Sequence, residues 1–543
     1  MADPVARGGR HALTTPVLVA GGGPAGLAAA AELSLHGIDC VVIEPRTEVS
    51  HRRPRAKTTS IRTMEHLRRW GIADRLRDQA PLPVAWSQRV TFCESLSGRR
   101  ITDFPGAFGL TTVRDPAFAE PGQQVPQPVV EEVLRQHLRG RAGVDLRLGQ
   151  QVAGLTQDDE GVTVAVRDSL GASYQVRARY VLGCDGASGI VRDQIGARYI
   201  GRTGPRPNFN VVFRAPGLDT HLGPAVQYWV VGGAVTGLTG RLDLAGTWWA
   251  IFPGVDAAYG DAHSAGLITG LIGAPAPHEV VATDPWTARM LIADTFASGR
   301  VYLVGEAAHV NPPWGGHGFN TSVGDAVNIA WKIAAVESGW AAPSLLASYE
   351  DERRSVVEQT VASAESNMRA LTGDLPADAD VIQRVKRFEF YSLGLVLGYS
   401  YAGSPVIQPG AGTATIADTT VYQPSAEPGG RLPHAWLPDG TSLYDRLGRG
   451  FTLLGPARRS ALLAERARER GIPLAVCEPP PDYPWRDEFL LVRPDQHIAW
   501  RASDAESIDL DLVTGLSGTE TASTGQHRSP LRQRARRPAT PAW

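Results

Sequence analysis

Cysteine is scarce in this sequence. Cys40, Cys93, Cys184 and Cys477 lie far apart and form no C-x-x-C pair, which argues against a disulfide framework and against a zinc site. Neither sign of charge is in excess, since 54 lysines and arginines against 56 acids leave a net charge of −2. So even a balance speaks against a nucleic-acid partner and against an anionic membrane surface. A long uninterrupted apolar run is also missing. The most apolar stretch, 17–33, is broken by glycines, Pro24 and Glu32, so no membrane span is expected. Arg7 and Arg10 precede it as they would in a signal peptide, yet no small-residue cleavage site follows, and the expected location is the cytoplasm. Acids are absent after Arg528, where Arg532, Arg534, Arg536 and Arg537 follow, and 516–543 is expected to be a disordered tail.

At 543 residues and 43% hydrophobic composition, the chain exceeds one ordinary core and predicts two or three soluble domains. Residues 16–20 (PVLVA) predict a buried strand, 24–36 a helix of small residues, and 39–44 (DCVVIE) a second strand, which together make a βαβ unit. Gly21-x-Gly23-x-x-Gly26 sits between the first strand and the helix, and Glu44 ends the second strand 23 residues after Gly21. In such a motif the first glycine allows a tight turn and the second admits a pyrophosphate to the backbone. The third lets helix pack on strand, and the acid holds a ribose hydroxyl pair. This predicts a dinucleotide site without choosing between FAD and NAD.

Helical patterns follow at 60–70 and 127–138, and a strand-rich region over 152–182 leads into GCDG. From about 206 to 292, Trp, Tyr, Phe and Val among glycine turns predict an inserted antiparallel sheet. The stretch 305–332, GEAAHVNPPWGGHGFNTSVGDAVNIAWK, ends an apolar run with a Gly-acid pair. A rigid Pro/Gly loop and a helix follow, an arrangement that lets backbone approach a flat ligand and offers helix N–H groups to anionic oxygens. From Phe451, FTLLG, ALLAERARERG, IPLAVCE and EFLLVRP predict a small α/β appendage.

Taken together, the glycine motif, Asp185-Gly186 in ARYVLGCDGASGIVR and Gly305-Glu306 resemble the three fingerprints of the class A flavoprotein monooxygenases, the single-component FAD-dependent aromatic hydroxylases. The resemblance extends through RPRAKTTSIRTMEHLRRWG around Arg55, Gln127 with Glu131, DAVNIAWKI, PGGRLPHAWLPDGTSLYDRLG and FLLVRPDQHIAWRA, and so covers nearly the whole chain. It is closest to the phenol and chlorophenol hydroxylase branch, which carries a C-terminal thioredoxin-like domain.

The resemblance implies an α/β fold: a Rossmann-like FAD-binding domain, an inserted antiparallel-sheet substrate domain and the thioredoxin-like domain. The expected division is a flexible leader at 1–14, FAD-binding parts at 15–200 and 293–370, a substrate sheet at 201–292, a wrapping linker at 371–435 and the thioredoxin-like domain at 436–515. It implies FAD as cofactor, NAD(P)H as co-substrate, O2, and a phenolic or polyketide-type aromatic substrate hydroxylated through a flavin C4a-hydroperoxide. Gly21, Gly23 and Gly26 would face the FAD pyrophosphate, and Glu44 the adenosine ribose. Arg55 would lie by the pyrophosphate and the nicotinamide entry, with Gln127 also on the cofactor. Asp185 and Gly186 belong to the motif shared by FAD and reductant. Gly305 and Glu306 would meet the ribityl chain, while Pro313 and the Gly318, Phe319 and Asn320 backbone would border the isoalloxazine ring. Arg55 and Pro313 are the expected catalytic pair, and Tyr228, Arg241, Trp249 and Pro313 the candidate substrate contacts.

Two positions depart from the family pattern. Glu306 stands where Asp is usual, and Ser188-Gly189 replace the Arg-Ser of DGARSxVR, so local reductant contacts are expected to differ. Trp248 and Trp249 are adjacent on a strand and must point to opposite faces, one into core and one toward a cavity. His309 is expected to make a structural hydrogen bond, His317 to lie either at the loop surface or toward substrate, and Arg214 either to pair with an anionic substrate or to be solvated. Cys477 lacks a partner, so the appendage is expected to serve packing or contact between two copies rather than redox chemistry. Baeyer–Villiger insertion or epoxidation is the competing reaction, and an FAD-retaining binding protein without turnover is the competing class.

Overall fold

The computed structural model describes residues 13–52, 57–372, 375–410, 416 and 418–516. Arg55 and most of the expected leader and tail therefore lie outside the described residues. Leu13 and Thr14, expected in the leader, already belong to the first strand, Leu13–Ala20.

Five strands form the parallel heart of the first sheet, in the order Val301–Leu303, Ser173–Gly183, Leu13–Ala20, Cys40–Glu44 and Val144–Leu148. Val17 to Ala20 are fully buried, as expected of a parallel strand covered on both faces. Helix Pro24–Leu35 covers one face. Its run of four alanines brings it close to the helices Gln127–Leu138 and His317–Glu337. Register places Leu303, Gly183, Ala20 and Ile43 side by side, so the loops leaving those strands emerge at one edge. In an open parallel sheet that carboxyl edge is where ligands bind.

The second sheet has eight strands, in the order His309–Val310, Glu279–Ala293, Tyr199–Arg214, Thr247–Pro253, Gly237–Arg241, Gln227–Val230, Arg89–Cys93 and Arg100–Pro105. Its last two strands come from well before residue 201, inside the span expected to belong to the FAD-binding part, so the expected substrate sheet at 201–292 does not contain them. Arg89–Cys93 also pairs in parallel with Gln227–Val230, so the sheet is not purely antiparallel. A helix absent from the expected division, Ala257–Ile272, lies against one face. Its glycines and short side chains hide its amphipathic period in the sequence. Tyr228, Val230, Trp248, Ala250 and Phe252 pack toward that helix, while Trp229, Leu238, Trp249 and Ile251 point the other way.

The third sheet runs Leu474–Cys477, Phe451–Leu454, Phe489–Val492, Ile498–Ala502. Its first pair is parallel and joined through helix Ala461–Glu469, and the others are antiparallel, the strand order of a thioredoxin-like unit. Trp331 and Trp340 share its buried core with Phe451, Leu453 and Phe489. A buried ion network crosses the same junction: Arg493 Nη1 donates to Glu352 Oε1 at 2.8 Å, and Lys332 Nζ to Glu352 Oε2 at 2.8 Å.

The segment expected to be a linker contains the helices Ala379–Phe390 and Leu393–Leu397, and Ile382, Lys386 and Phe390 of the first are buried. Among the described residues, no helix is long and apolar enough to cross a membrane, and no group of three or more His, Cys, Asp or Glu side chains is placed to hold a metal.

Candidate active site

The three glycines of the first motif have different jobs. Gly21 has φ +106°, and an added Cβ would lie 2.4 Å from the Cys184 carbonyl. At Gly26 an added Cβ would meet the Gly21 carbonyl at 1.9 Å. At Gly23 the nearest atom is Arg46 Nη2, 4.0 Å away, so this glycine alone opens onto free space. Helix Pro24–Leu35 begins beside it with no side-chain cap and no acid in its first turn. Its first N–H groups are therefore left for an anion.

Glu44 is buried. Its Oε2 accepts from Gly22 N at 2.6 Å, and its Oε1 accepts from Arg46 N at 2.9 Å and Arg46 Nε at 2.6 Å. Arg46 Nη2 also donates to Glu131 Oε2 at 3.1 Å, and Gln127 Nε2 to Glu131 Oε1 at 2.8 Å. One relay thus joins Glu44, Gln127 and Glu131 through Arg46, which sequence reasoning missed. Its signal was a cation two residues after the strand-ending acid.

Asp185 Oδ2 accepts from Val191 N at 3.0 Å, and Oδ1 has no partner among the described residues. Burial pushes the Asp185 carboxyl above its ordinary range. A Cβ on Gly189 would lie 2.0 Å from Asp185 Cγ, so this carboxylate position and the glycine departure go together. Gly186, at φ +80°, has open space where a Cβ would be.

Gly305 has φ +64°, and its N–H donates to Asp325 Oδ2 at 3.3 Å. Asp325 is completely buried between His309 Nε2 at 2.6 Å and Arg353 Nε at 2.7 Å. Burial alone would raise its carboxyl, but Arg353 and His309 together hold it below its ordinary range. His309 is thereby the structural histidine the sequence suggested. Asp325 itself was missed as a site residue, though it opens the DAVNIAWKI stretch. The Glu306 backbone carbonyl accepts from the Tyr199 hydroxyl, whereas its exposed carboxylate has no protein hydrogen bond among the described residues.

Gly315 and Gly316 have φ +88° and +71°, and Gly316 caps helix His317–Glu337 without a side-chain hydrogen bond. Gly318 and Phe319 line the cavity. Asn320 has another role. Its Nδ2 donates to Thr58 O at 3.1 Å and Gly316 O at 2.7 Å, and its Oδ1 accepts from Ser60 N at 2.9 Å. The side chain braces the loop against the helix at Ile61–Arg69. His317 is buried rather than at the loop surface, and burial pushes it down to about 4.

One cavity of about 1190 Å³ connects these loops to the second sheet. It runs from Gly23 and Glu44 past Glu306 and Pro313 to Trp229 and Trp249. Trp286 and Trp314 extend that aromatic wall, their rings 6.4 Å apart. Lys57 Nζ stands 4.0 Å from the Trp249 ring centroid, and burial pushes its ammonium down to about 7. Phe108, at φ +60°, is a rare left-handed residue in the same wall.

Two expected substrate contacts lie elsewhere. Tyr228 Oη donates to Gly223 O at 2.6 Å. Arg241 Nη2 donates to Leu218 O at 2.7 Å, and its guanidinium sits 4.6 Å over Trp248. Strand alternation puts both on the helix-covered face with Trp248, opposite Trp249. Arg214 is exposed at its strand end.

An open glycine beside an uncapped helix, an unpartnered carboxylate, a rigid glycine loop and an aromatic wall together fit a flavin dinucleotide with a ring substrate beside it. Residues 14–364 match the family model described as FAD binding domain, and 425–518 the one described as aromatic-ring hydroxylase, C-terminal. The chain belongs to the FAD-dependent aromatic-ring hydroxylases. Like its relatives in that family it is a monooxygenase, with FAD as cofactor and NAD(P)H as co-substrate. It is 30% identical to 2,4-dichlorophenol 6-monooxygenase of Delftia acidovorans, over 90% of this chain and 95% of that one. The rebeccamycin biosynthetic enzyme RebC, solved with reduced flavin, superposes with a TM-score of 0.84 at 30% identity, covering 93% of this chain and 100% of that one. Aklavinone-11 hydroxylase, solved with FAD and aklavinone, gives 0.81 at 27% identity, covering 92% and 99%.

Proposed function

We propose that this hydroxylase inserts one oxygen atom of O2 into a flat, hydroxyl-bearing aromatic ring, either a phenol or a fused-ring polyketide. The observation that carries the reading is the continuity of one cavity, with the Gly23 end suited to a pyrophosphate and the Trp229–Trp249 end suited to a ring. Bound FAD, once reduced by NAD(P)H, supplies the activation of O2.

The remaining tasks fall to the chain. Gly23 and the uncapped helix receive the pyrophosphate, and Glu44 with Arg46 receives the adenosine ribose. Gln127 acts on that end through Glu131 and Arg46. Glu306, which lines the cavity with a carboxylate free of protein hydrogen bonds among the described residues, accepts hydrogen bonds from the ribityl hydroxyls. Pro313 and the Gly315–Gly318 loop border the flavin ring with little side chain in the way. Asp185 and Gly186 lie where reductant and cofactor meet, and Arg55 is kept as a contact at the nicotinamide entry. The indoles stack on the substrate ring and keep bulk water from it, which favours oxygen transfer over release of H2O2.

The test is direct. Purified protein is expected to be yellow, and its NAD(P)H consumption to accelerate with a phenol such as 2,4-dichlorophenol or with a hydroxylated anthraquinone. Under ¹⁸O2 the product should carry one labelled oxygen atom by mass spectrometry. Flavin-containing protein that no aromatic hydroxyl compound stimulates would overturn the reading.

A further inference from the structure

Helix Ala379–Phe390 closes the aromatic end of the cavity. Ile382, Lys386, Glu389 and Phe390 recur at helical spacing and form its inward face. The Phe390 ring lies 5.8 Å from Trp229 and 4.8 Å from Phe104. Two charges are buried in this apolar setting, Lys386 with 0% and Glu389 with 3% of their surface exposed. Lys386 Nζ donates to Glu389 Oε2 at 2.8 Å and stands 4.3 Å from the Trp229 centroid. A buried ion pair generally returns no more stability than well-packed apolar residues, so folding alone does not account for this one.

The second carboxylate oxygen, Glu389 Oε1, has no hydrogen-bond partner among the described residues, and Glu389 lines the cavity beside Trp229 and Phe108. An ionised carboxylate is acceptor-only, so an unpartnered carboxylate oxygen facing the cavity is free to accept from a donor bound there. Charge narrows the choice. Lys386 already neutralises the carboxylate, so an ammonium ligand would bring an uncompensated charge, and an anionic ligand would be repelled by Oε1. A neutral hydroxyl fits both constraints.

We propose that Glu389 is a specificity-determining residue. Its Oε1 accepts a hydrogen bond from a neutral phenolic or enolic hydroxyl of the substrate ring, while Lys386 fixes the carboxylate for that contact. The inference deepens the hydroxylase reading and rests on it. The proton stays on the substrate and no bond breaks. By holding one hydroxyl, the pair determines which ring carbon faces the flavin end of the cavity.

The test uses the FAD-loaded full chain with 2,4-dichlorophenol, 2-naphthol and 1-hydroxyanthraquinone, each beside its methyl ether, binding being followed by flavin absorbance. The wild type should prefer at least one phenol over its ether by about tenfold or more, because a site built for a hydroxyl rejects the analogue that cannot donate. Glu389→Gln should abolish that preference and mix the positions of oxygenation, with flavin content unchanged. Should that variant fold poorly, Lys386→Met combined with Glu389→Met replaces the pair by apolar volume and should show the same loss. A preference retained in the folded variant, or a wild type that binds phenols and ethers alike, overturns the proposal while leaving the hydroxylase reading in place. A flavin-loaded wild type that none of the phenols perturbs or stimulates overturns both.

Discussion

His309 Nε2 lies 2.6 Å from Oδ2 of Asp325, the oxygen that also receives the Gly305 N–H. The contact ties the Gly305-Glu306 turn to the buried face of helix His317–Glu337, and Arg353 Nε donates to the other Asp325 oxygen. Asp325→Ala leaves the Arg353 guanidinium buried without its carboxylate. A loss of about 3–5 kcal/mol is expected from breaking such a pair, with bound flavin falling in parallel. Chemical denaturation and the absorbance of co-purified flavin check it, and an unchanged midpoint would contradict the network.

The glycine motif separates folding from binding. Gly26→Ala drives a methyl into the Gly21 carbonyl and should yield little folded protein. Gly23→Ala meets no protein atom closer than 4.0 Å. It should fold with a near-native Tm yet retain little FAD, because its methyl occupies the pyrophosphate's approach. Circular dichroism and flavin content distinguish the two outcomes.

For Glu306, an exposed carboxylate with no protein hydrogen bond among the described residues, removal should barely alter stability. Glu306→Ala is expected to weaken FAD binding by about tenfold or more, tenfold being the low end for one hydrogen bond to a charged acceptor. Glu306→Asp should keep most of the affinity. Titrating apoprotein with FAD decides the matter, and loss of Tm in the alanine variant would assign the side chain to the fold instead.

Opposite faces of one sheet predict opposite phenotypes. Trp249→Ala should raise the KM for the aromatic substrate and increase the fraction of NAD(P)H diverted to H2O2. Tyr228→Phe removes two hydrogen bonds within the helix-packed core, to Gly223 O and from Ala225 N, costing about 1–3 kcal/mol of stability with KM unaltered. Steady-state kinetics with peroxide detection, alongside thermal denaturation, measures both.

Acid should unfold the protein through its buried histidines. His317, His434 and His497 are pushed down to about 4 by burial, whereas in the unfolded chain they titrate near 6.5. Between those values the unfolded state binds protons that the folded state does not. Stability therefore falls as pH drops from about 6.5 to about 4, by up to about 1.4 kcal/mol per pH unit for each histidine. Thermal melts at pH 7.5, 6.0 and 5.0 should show the decline, and replacing His497 by Phe should make it shallower.

Much of this molecule was legible in one dimension because its cofactor end is made of local motifs. Gly21, Gly23 and Gly26 with Glu44 lie within one βαβ unit, where turn, helix start and strand end are set by neighbours in the chain. Gln127–Leu138 and three of the four strands of the C-terminal sheet were legible for the same reason, through hydrophobic period and glycine punctuation, while Ile498–Ala502 was not. Helix Ala257–Ile272 was not, since small residues blur its period. Strands Arg89–Cys93 and Arg100–Pro105 were placed in the wrong unit because strand pairing across more than a hundred residues leaves no local mark.

The sequence by itself determined the family, the cofactor and the open glycine that a pyrophosphate needs. It also determined that Trp248 and Trp249 must part, since successive strand residues face opposite ways. Only the tertiary structure decided which of the two meets the cavity. It alone placed Tyr228 and Arg241 on the helix-covered face, drew Arg46 between Glu44 and Glu131, and brought Lys386 and Glu389 from an unremarked stretch to the aromatic wall of the cavity. Those outcomes depend on which face a distant helix covers, and that is a property of packing rather than of any segment.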